Sequence, residues 1–300
     1  MKRNTKSVPG GLSDKAFNIV ICVLLGLFAL AILYPLYFVV IASISDPAAI
    51  GAGEVILWPK GLNIDGYRAV FQDSKIWTGY LNSFLYAVLG TTICVTLTVS
   101  AAYPLSRAEF RGRKYIMMFF TLTMFVSGGM IPAYIVINNL HLMNTIWSIV
   151  LPSAVTAYNL IITRTFIQSS LPNELYEAAA IDGCGQGRFF FQILLPLVKP
   201  IIAVLVLFSV VNMWNQYMQP MLYLSDQTKY PLQVILRGVL VQNTADISML
   251  DDMDALLDQM KLAEKIKYAL IIIASAPVVA LYPLVQKHLV KGVMIGSVKG

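Results

Sequence analysis

The stretch Glu177-Ala178-Ala179, followed by Gly183 and then by Ile193-Leu194-Leu195-Pro196, decides the fold. It is a polar, glycine-interrupted segment between two apolar segments that are each long enough to cross a bilayer. A helix of about 20 apolar residues spans a hydrocarbon core of about 30 Å. The stretch is therefore predicted to be a helical hairpin outside the membrane that connects two spans.

The composition places the rest of the chain in a bilayer. Of its 300 residues 57% are hydrophobic and only 13% are charged, whereas soluble domains average roughly half apolar and a quarter charged. Six segments are apolar enough to span: Phe17 to Ile44, Leu81 to Leu105, Tyr115 to Ile137, Thr145 to Phe166, Leu197 to Tyr217 and Tyr268 to Val285. The sequence predicts an all-α, polytopic membrane protein, with an external amphipathic helix over Leu250 to Lys267 that precedes the last span.

The distribution of Lys and Arg sets the orientation, because positive residues accumulate in short cytoplasmic loops. With the N-terminus inside, fourteen of the 22 basic residues lie on the cytoplasmic side. The densest group is the loop between spans two and three, which contains Arg107, Arg111, Arg113 and Lys114. Both termini and the hairpin are therefore predicted to face the cytoplasm. The net charge of +6 follows from this rule and from contact with anionic lipid, so nucleic-acid binding is not expected.

Within the hairpin, Ser170-Leu171-Pro172 predicts a helix start, with a hydroxyl cap and a proline just inside the first turn. The helix should run to about Ile181, with Glu174, Glu177 and Ala178 on one surface. Gly183 should then reverse the chain, since a residue with a Cβ would strain to hold that conformation.

The spacing E-A-A, three residues, G, nine residues, I-x-L-P is filled at all seven fixed positions. It resembles the cytoplasmic loop with which permease subunits of binding-protein-dependent ABC importers grip their ATPase. Other elements look like the sugar-importing branch of that family: Ala102-Tyr103, Arg107, Phe110-x-Gly112-Arg113, Met130-Ile131-Pro132, Asn144-Thr145, Leu151-Pro152, Trp214-Asn215, Gln286 and the tail Lys291 to Gly300. The tail is similar to that of the subgroup linked to complex polysaccharides.

The resemblance implies one six-span permease domain of type I importer fold over residues 1–300, located in the bacterial cytoplasmic (inner) membrane, with the ATPase-coupling loop at residues 168–197. It implies a second homologous permease, two ATPase subunits that bind ATP and Mg²⁺, an extracytoplasmic solute-binding lipoprotein and an oligosaccharide substrate. This chain itself is expected to hold no cofactor. The coupling residues that it implies are Glu174, Glu177, Ala178, Ala179, Asp182, Gly183, Ile193, Leu195 and Pro196.

Polar side chains within the spans are candidates for the solute path. Asn212, Asn215 and Gln219 recur at i, i+3 and i+7, so span five would present them on one face, with Trp214 beside them. Amides can meet sugar hydroxyls and an aromatic ring can stack on a pyranose, but buried amides in a bundle also bond neighbouring helices. Tyr158 and Asn159 in span four are further candidates of the same kind.

Other functions lack their signatures. An ion-coupled secondary sugar carrier is the main alternative, although no Asp or Glu lies well inside a span and inverted repeats with interrupted helices are not evident. A channel would need a selectivity filter, which is not recognisable. The sequence contains no Walker motif, no CxxC and only two histidines, predicted to lie on opposite sides, so neither an enzyme nor a metal site is expected.

Overall fold

The computed structural model describes residues 12–246, 266–281 and 283, and this part of the chain is helical without strands. The helices are α1 Leu12–Ser43, α2 Pro47–Gly51, α3 Asp65–Gln72, α4 Ser74–Ser106, α5 Arg113–Phe125, α6 Met130–Asn139, α7 Trp147–Val150, α8 Ala157–Ser170, α9 Asn173–Ile181, α10 Gln186–Arg188, α11 Leu195–Leu197, α12 Lys199–Asn215, α13 Met218–Tyr223, α14 Leu232–Asp246 and α15 Ile266–Leu281. Short 3₁₀ turns occupy Leu151–Ser153 and Gln227–Lys229, and a π-helix occupies Phe189–Leu194. The predicted amphipathic helix falls almost wholly outside the described residues, and the tail from Lys291 lies outside them.

The chain divides into two compact units. The first comprises residues 1–70 and 249–272 and is dominated by α1. From Lys15 to Tyr37 every side chain of α1 is exposed although the helix is strongly apolar. Hydroxyls of Tyr34 and Tyr37 donate to the carbonyls of Ile56 and Leu57 at 3.2 and 2.5 Å, which fixes the loop after α2. An apolar helix that is exposed all round belongs in lipid or against another membrane protein.

The second unit comprises residues 71–248 and 273–300, and α4 is its central helix. Asp73 caps α4 by accepting from the Lys75 N–H at 2.8 Å. Within this unit α4 packs against α8, α12 and α14. Gly79 permits the close approach of α14, because a Cβ there would lie 3.2 Å from the backbone of Leu232. The core of the second unit is thus built around one helix of 33 residues.

Within the described residues, helices cover the six predicted apolar segments, but only two of them are single helices long enough to span a membrane, Lys15–Ser43 and Ser74–Ser106. Spans three and four are pairs of helices bent by 120° and 47° at short breaks, and the helix of span five, α12, meets the return arm Gln186–Leu197 at a bend of 76°. The expectation that interrupted helices are absent was therefore wrong. The sixth is the shorter apolar helix α15.

Span three shows why hydropathy alone hides such a break. Its interruption lies at Ser127-Gly128-Gly129, where Gly129 has φ +82° and the Ser127 hydroxyl accepts from its N–H at 3.2 Å. Pro132 does not cause the bend, because it lies in the first turn of α6, where its missing N–H costs nothing. Small and apolar residues at the break keep mean hydropathy high, so the segment looks continuous.

Candidate functional site

The hairpin predicted from the sequence is formed by α9, a turn at residues 182–185, α10, the π-helix and α11. Its inner side is rooted in a buried cluster that joins it to α4, α8 and α12. The cluster contains Ala102, Leu105, Leu160, Ile167, Ala179, Phe189, Leu194, Val198 and Ile201. Phe189 and Leu194 are almost fully buried. The hairpin is therefore packed onto the bundle as part of its core.

The start of α9 differs from the prediction. Ser170 is the last residue of α8, and Leu171 ends that helix by donating its N–H to the Ile167 carbonyl at 2.9 Å. Pro172 takes the N-cap position of α9 and makes no side-chain cap bond. The hydroxyl of Ser170 is therefore not the cap, because the preceding helix runs to Ser170, four residues beyond the end of its apolar segment at Phe166.

The end of α9 explains the fixed spacing between Ala179 and Gly183. The Cys184 N–H donates to the Ala179 carbonyl at 2.8 Å, and the Gly183 N–H donates to the Ala180 carbonyl at 3.1 Å. These two bonds form a Schellman motif, which requires a left-handed residue four positions after the first acceptor. Gly183 supplies it with φ +73°. The predicted reversal at Gly183 is confirmed, and the spacing A-x-x-x-G follows from the hydrogen-bond pattern.

The outer face of α9 is open. Glu174, Glu177, Ala178, Ile181 and Asp182 recur at helical spacing and are all exposed. Ile181 is 87% exposed, an unusual position for a branched apolar side chain. None of the three acids forms an ion pair with another described residue. The face therefore offers an apolar centre with an acidic rim.

The second half of the motif lies on the return arm. Ile193 is half-buried against the cluster, Leu195 is half-buried in α11, and Pro196 is exposed at the second position of that helix. Ala179 is buried with the cluster. Of the predicted coupling residues, Ala179 and Ile193 thus hold the hairpin to the bundle, Leu195 is half-buried, and the others are accessible.

Four residues that the motif does not include connect the hairpin to the end of α4. We call Tyr103, Arg107, Tyr176 and Gln186 the clasp. The guanidinium carbon of Arg107 lies 3.2 Å from the ring centroid of Tyr176. The Tyr103 hydroxyl donates to Oε1 of Gln186 at 2.9 Å, and Nε2 of Gln186 donates to the Tyr176 hydroxyl. The sequence marked Arg107 as part of a basic loop and, with Tyr103, as a family-like element, but no spacing pattern joins it to Tyr176.

Candidates for the solute path are only partly brought together. Asn212 and Asn215 are exposed near the end of α12, and the Asn215 amide bonds the Val211 carbonyl of its own helix at 2.9 Å. Gln219 does not continue that face. The chain leaves the helix at Gln216, which has extended backbone, and Gln219 lies in α13. The predicted i, i+3, i+7 face is therefore wrong at its third member.

The other candidates for the solute path, Trp214, Tyr158 and Asn159, also differ in exposure. Trp214 is buried, and its indole N–H donates to the Ala274 carbonyl at 2.9 Å. Asn159 is buried, with its amide 3.8 Å from Sγ of Cys94. Tyr158 is 52% exposed and its ring lies 6.3 Å from that of Phe208. Tyr158, Asn212 and Asn215 thus present polar groups to the surroundings, whereas Trp214 and Asn159 contact the bundle.

A cavity of about 580 Å³ adjoins Gln219. Its walls include the Ser127-Gly128-Gly129 break, residues of α6, Leu151-Pro152 and Tyr223. The side-chain carbonyl oxygen of Gln219 is buried and accepts no hydrogen bond from any residue that the structure describes. A glutamine oxygen in such a position can accept a hydrogen bond from a hydroxyl.

At the other end of α4 a second set of bonds fixes the loop between α13 and α14. We call Asn82, Tyr86, Asn144 and Lys229 the external bracket. Asn82 donates to the carbonyls of Thr228 and Tyr230 at 2.7 and 3.1 Å, and the Tyr86 hydroxyl donates to the Lys229 carbonyl at 2.7 Å. Asn144 has φ +58°, and its side-chain oxygen accepts from the N–H of Asp226 at 3.1 Å. The Lys229 Nζ donates to the backbone carbonyl of Asn144 at 2.9 Å.

In the same loop, hydrogen bonds from the side chain and backbone of Thr228 lower the pKa of Asp226, and the nearby Lys229 ammonium lowers it further. The carboxylate therefore stays ionised and keeps the turn at Gln227–Lys229 closed by accepting from the Thr228 N–H at 2.9 Å. The external loop is thus a defined structure held to α4.

A bundle of apolar, partly interrupted helices with a polar hairpin rooted in its core defines a membrane-embedded transport permease. The chain belongs to the family of binding-protein-dependent transport system inner membrane components, whose model matches residues 95–295. This membership and the relatives below confirm the all-α importer-permease fold and the inner-membrane location.

Two relatives from Bacillus subtilis (strain 168) match almost the whole chain. The polygalacturonan/rhamnogalacturonan transport system permease protein YtcP is 38% identical, over 96% of this chain and 100% of its own length. Protein LplC is 36% identical, over 96% of both chains. Among solved structures, a chain of a bacterial ABC transporter involved in the import of the acidic polysaccharide alginate superposes with a TM-score of 0.84 at 33% identity, over 94% of this chain and 99% of that one.

Proposed function

We propose that this chain forms half of an alternating-access pathway for an oligosaccharide and that its hairpin couples the pathway to ATP hydrolysis in separate ATPase subunits. The observation that carries the proposal is the outer face of α9. An 87% exposed isoleucine between exposed acids, on a helix rooted in the bundle core, suits a partner groove with an apolar floor and a basic rim. ATP and Mg²⁺ would be bound by that partner.

The Schellman end of α9 and the buried cluster support rigid-body movement of the hairpin with the bundle. The two arms of the hairpin and the cluster residues are packed together. A displacement of α9 therefore moves the bundle helices with it and does not merely deform the hairpin. ATP-driven closure of two ATPases would then move the permease between inward-open and outward-open states.

The exposed polar face near the end of α12 supports a second permease subunit. Asn212 and Asn215, and Tyr158 of α8, would be costly against hydrocarbon, because the bonds that the two amides make to Val211 and Gln216 satisfy only part of these polar groups. We infer that this face lies towards a homologous permease and the water-filled path between the two, as in a heterodimer.

The names of the relatives indicate the cargo. Polygalacturonan, rhamnogalacturonan and alginate are polysaccharides in which all or some of the sugar units carry a carboxylate. We propose a fragment of such an acidic polysaccharide as the solute, delivered by an extracytoplasmic binding protein. An ion-coupled carrier is disfavoured, since no described span contains an Asp or Glu.

Uptake into proteoliposomes tests the proposal. The chain is co-purified with its partner permease, ATPases and binding protein, and the vesicles are given labelled galacturonate or alginate oligomers, with a neutral maltooligosaccharide as control. Uptake of an acidic oligomer should require both ATP and the binding protein and should survive ionophores that collapse ion gradients. Uptake without ATP, or its loss when gradients collapse, would favour the carrier. Transport of the neutral oligomer alone would contradict the assigned cargo.

A further inference from the structure

The clasp closes a ring of contacts between α4 and both arms of the hairpin. Arg107, the C-cap residue of α4, stacks on Tyr176 of the outgoing helix α9. Tyr103, one turn earlier in α4, bonds Gln186 on the return arm, and Gln186 bonds Tyr176. The end of α4 is therefore tied to both arms at once.

The Arg107 side chain is held in this position by burial and by a neighbouring carboxylate. Only 15% of it is exposed, and its Nε lies 3.4 Å from the Glu109 carboxylate. A planar guanidinium can stack on a ring and keep in-plane hydrogen bonds, which an ammonium cannot do. The Tyr176 ring also makes an edge contact with buried Phe189, at 5.2 Å between centroids. The ring is thus fixed from two sides.

Helix α8 holds the same end of α4 from the other direction. Arg164 Nε donates to the Leu105 carbonyl at 2.9 Å, and Gln168 donates to the Ser106 carbonyl at 3.2 Å. These bonds satisfy carbonyls that a helix end leaves without partners. Since α4 is a continuous helix of 33 residues, its length is about 50 Å.

The far end of α4 is tied to the external bracket. Asn82 and Tyr86 bond the loop at Thr228 to Tyr230, and Ser83 Oγ accepts from the Leu232 N–H at 2.8 Å. From Asn82 to Arg107 the helix rises about 38 Å. One helix therefore connects the hairpin to an external loop on the side where a binding protein would dock.

We propose that α4 transmits displacement between the hairpin and the external bracket, and that Arg107 is the positioning residue that attaches α4 to the hairpin through its stack on Tyr176. This inference rests on the proposed function. It assigns coupling to a helix that precedes the hairpin in the chain, in addition to the spans that flank it. If α4 carries displacement in both directions, solute-loaded binding protein at the bracket should also raise ATP hydrolysis at the hairpin through the same path.

A double-mutant cycle tests the clasp. The readout is the ratio of ATP hydrolysis with loaded binding protein to basal hydrolysis, in the complete importer in lipid nanodiscs. Arg107→Lys keeps the positive charge but removes the planar stack, and Tyr176→Leu removes the ring. Each should lower the ratio roughly three- to tenfold, the range of a partly buried cation–π contact. The double variant should be no worse than the worse single variant.

A second cycle tests transmission along the helix. Asn82→Ala weakens the external bracket, about 38 Å from Arg107 and without a shared partner. Independent effects at such a distance multiply. If α4 connects the two ends in series, Asn82→Ala combined with Arg107→Lys should again equal the worse single variant.

Matched controls use exposed residues close by. Arg111→Lys changes the same loop outside the clasp, and Tyr115→Leu removes a ring that is 72% exposed. Both should behave as the wild type. Effects that multiply in either cycle, or an unchanged ratio in Arg107→Lys, would overturn the proposal. Failure of the proposed function is seen separately, as a wild-type complex whose ATP hydrolysis does not respond to loaded binding protein.

Discussion

Gly183 allows the coupling role of the hairpin to be tested by backbone strain alone. Its φ of +73° lies in the left-handed region, and a Cβ built on it would meet no atom within 4 Å. Adding a Cβ therefore changes backbone energy without a steric clash of that atom. Gly185, two residues later, has an equally open surrounding but φ −68°. The variants Gly183→Val and Gly185→Val thus differ mainly in the sign of φ.

The size of the effect follows from the Schellman end. A residue with a Cβ in left-handed conformation costs about 1 to 2 kcal/mol, and a β-branched one is at the upper end. If the turn opens to relieve this strain, two hydrogen bonds of net about 1 kcal/mol each are at risk. The equilibrium between closed and open turns should therefore shift about five- to thirtyfold towards open turns. Gly183→Asn should lose less than Gly183→Ala, because asparagine tolerates the left-handed region.

The assay is ATP hydrolysis by the reconstituted importer, with and without loaded binding protein, alongside membrane yield and size-exclusion profile. Gly183→Val should insert normally and lose stimulated hydrolysis, whereas Gly185→Val should keep it. If both valine variants keep stimulated hydrolysis, the reasoning is refuted, since only the sign of φ distinguishes the sites. If both lose it to the same extent, the reasoning is refuted as well.

Two further predictions concern packing and docking. Gly79→Ala should lower the melting temperature of the purified permease by several degrees, because its Cβ would meet the Leu232 backbone and Ile235, an overpacking cost of about 1 to 3 kcal/mol. Gly90→Ala should leave the melting temperature nearly unchanged. Its Cβ meets the flexible end of the Met213 side chain, and alanine gains about 1 kcal/mol of helix propensity over glycine. Equal changes in melting temperature for Gly79→Ala and Gly90→Ala would contradict this prediction. Ile181→Ala should weaken ATPase binding in a titration roughly thirtyfold, or about 2 kcal/mol for three buried carbons, while Ile56→Ala on the external side should leave it unchanged. Tight ATPase binding by Ile181→Ala would show that the tip of α9 is not the contact.

Some of the site followed from residues close together in the chain. The reversal at Gly183 depends on hydrogen bonds within six residues, so spacing alone predicts it. The exposed acids on α9 follow from helical periodicity over two turns. The start of α9 did not follow, because whether Ser170 ends one helix or caps the next depends on how far α8 runs.

The membrane class, the six apolar segments and the hairpin could be predicted from the sequence, because hydropathy and local hydrogen bonding need no knowledge of distant residues. Tertiary structure alone decided the bends, the clasp and the separation of Gln219 from Asn212. A bend such as that at Ser127-Gly128-Gly129 is stable only if neighbouring helices accommodate it, and the residues of the clasp come from positions up to 83 apart. Which side chains meet over such distances is set by packing of whole helices, and no local pattern encodes it.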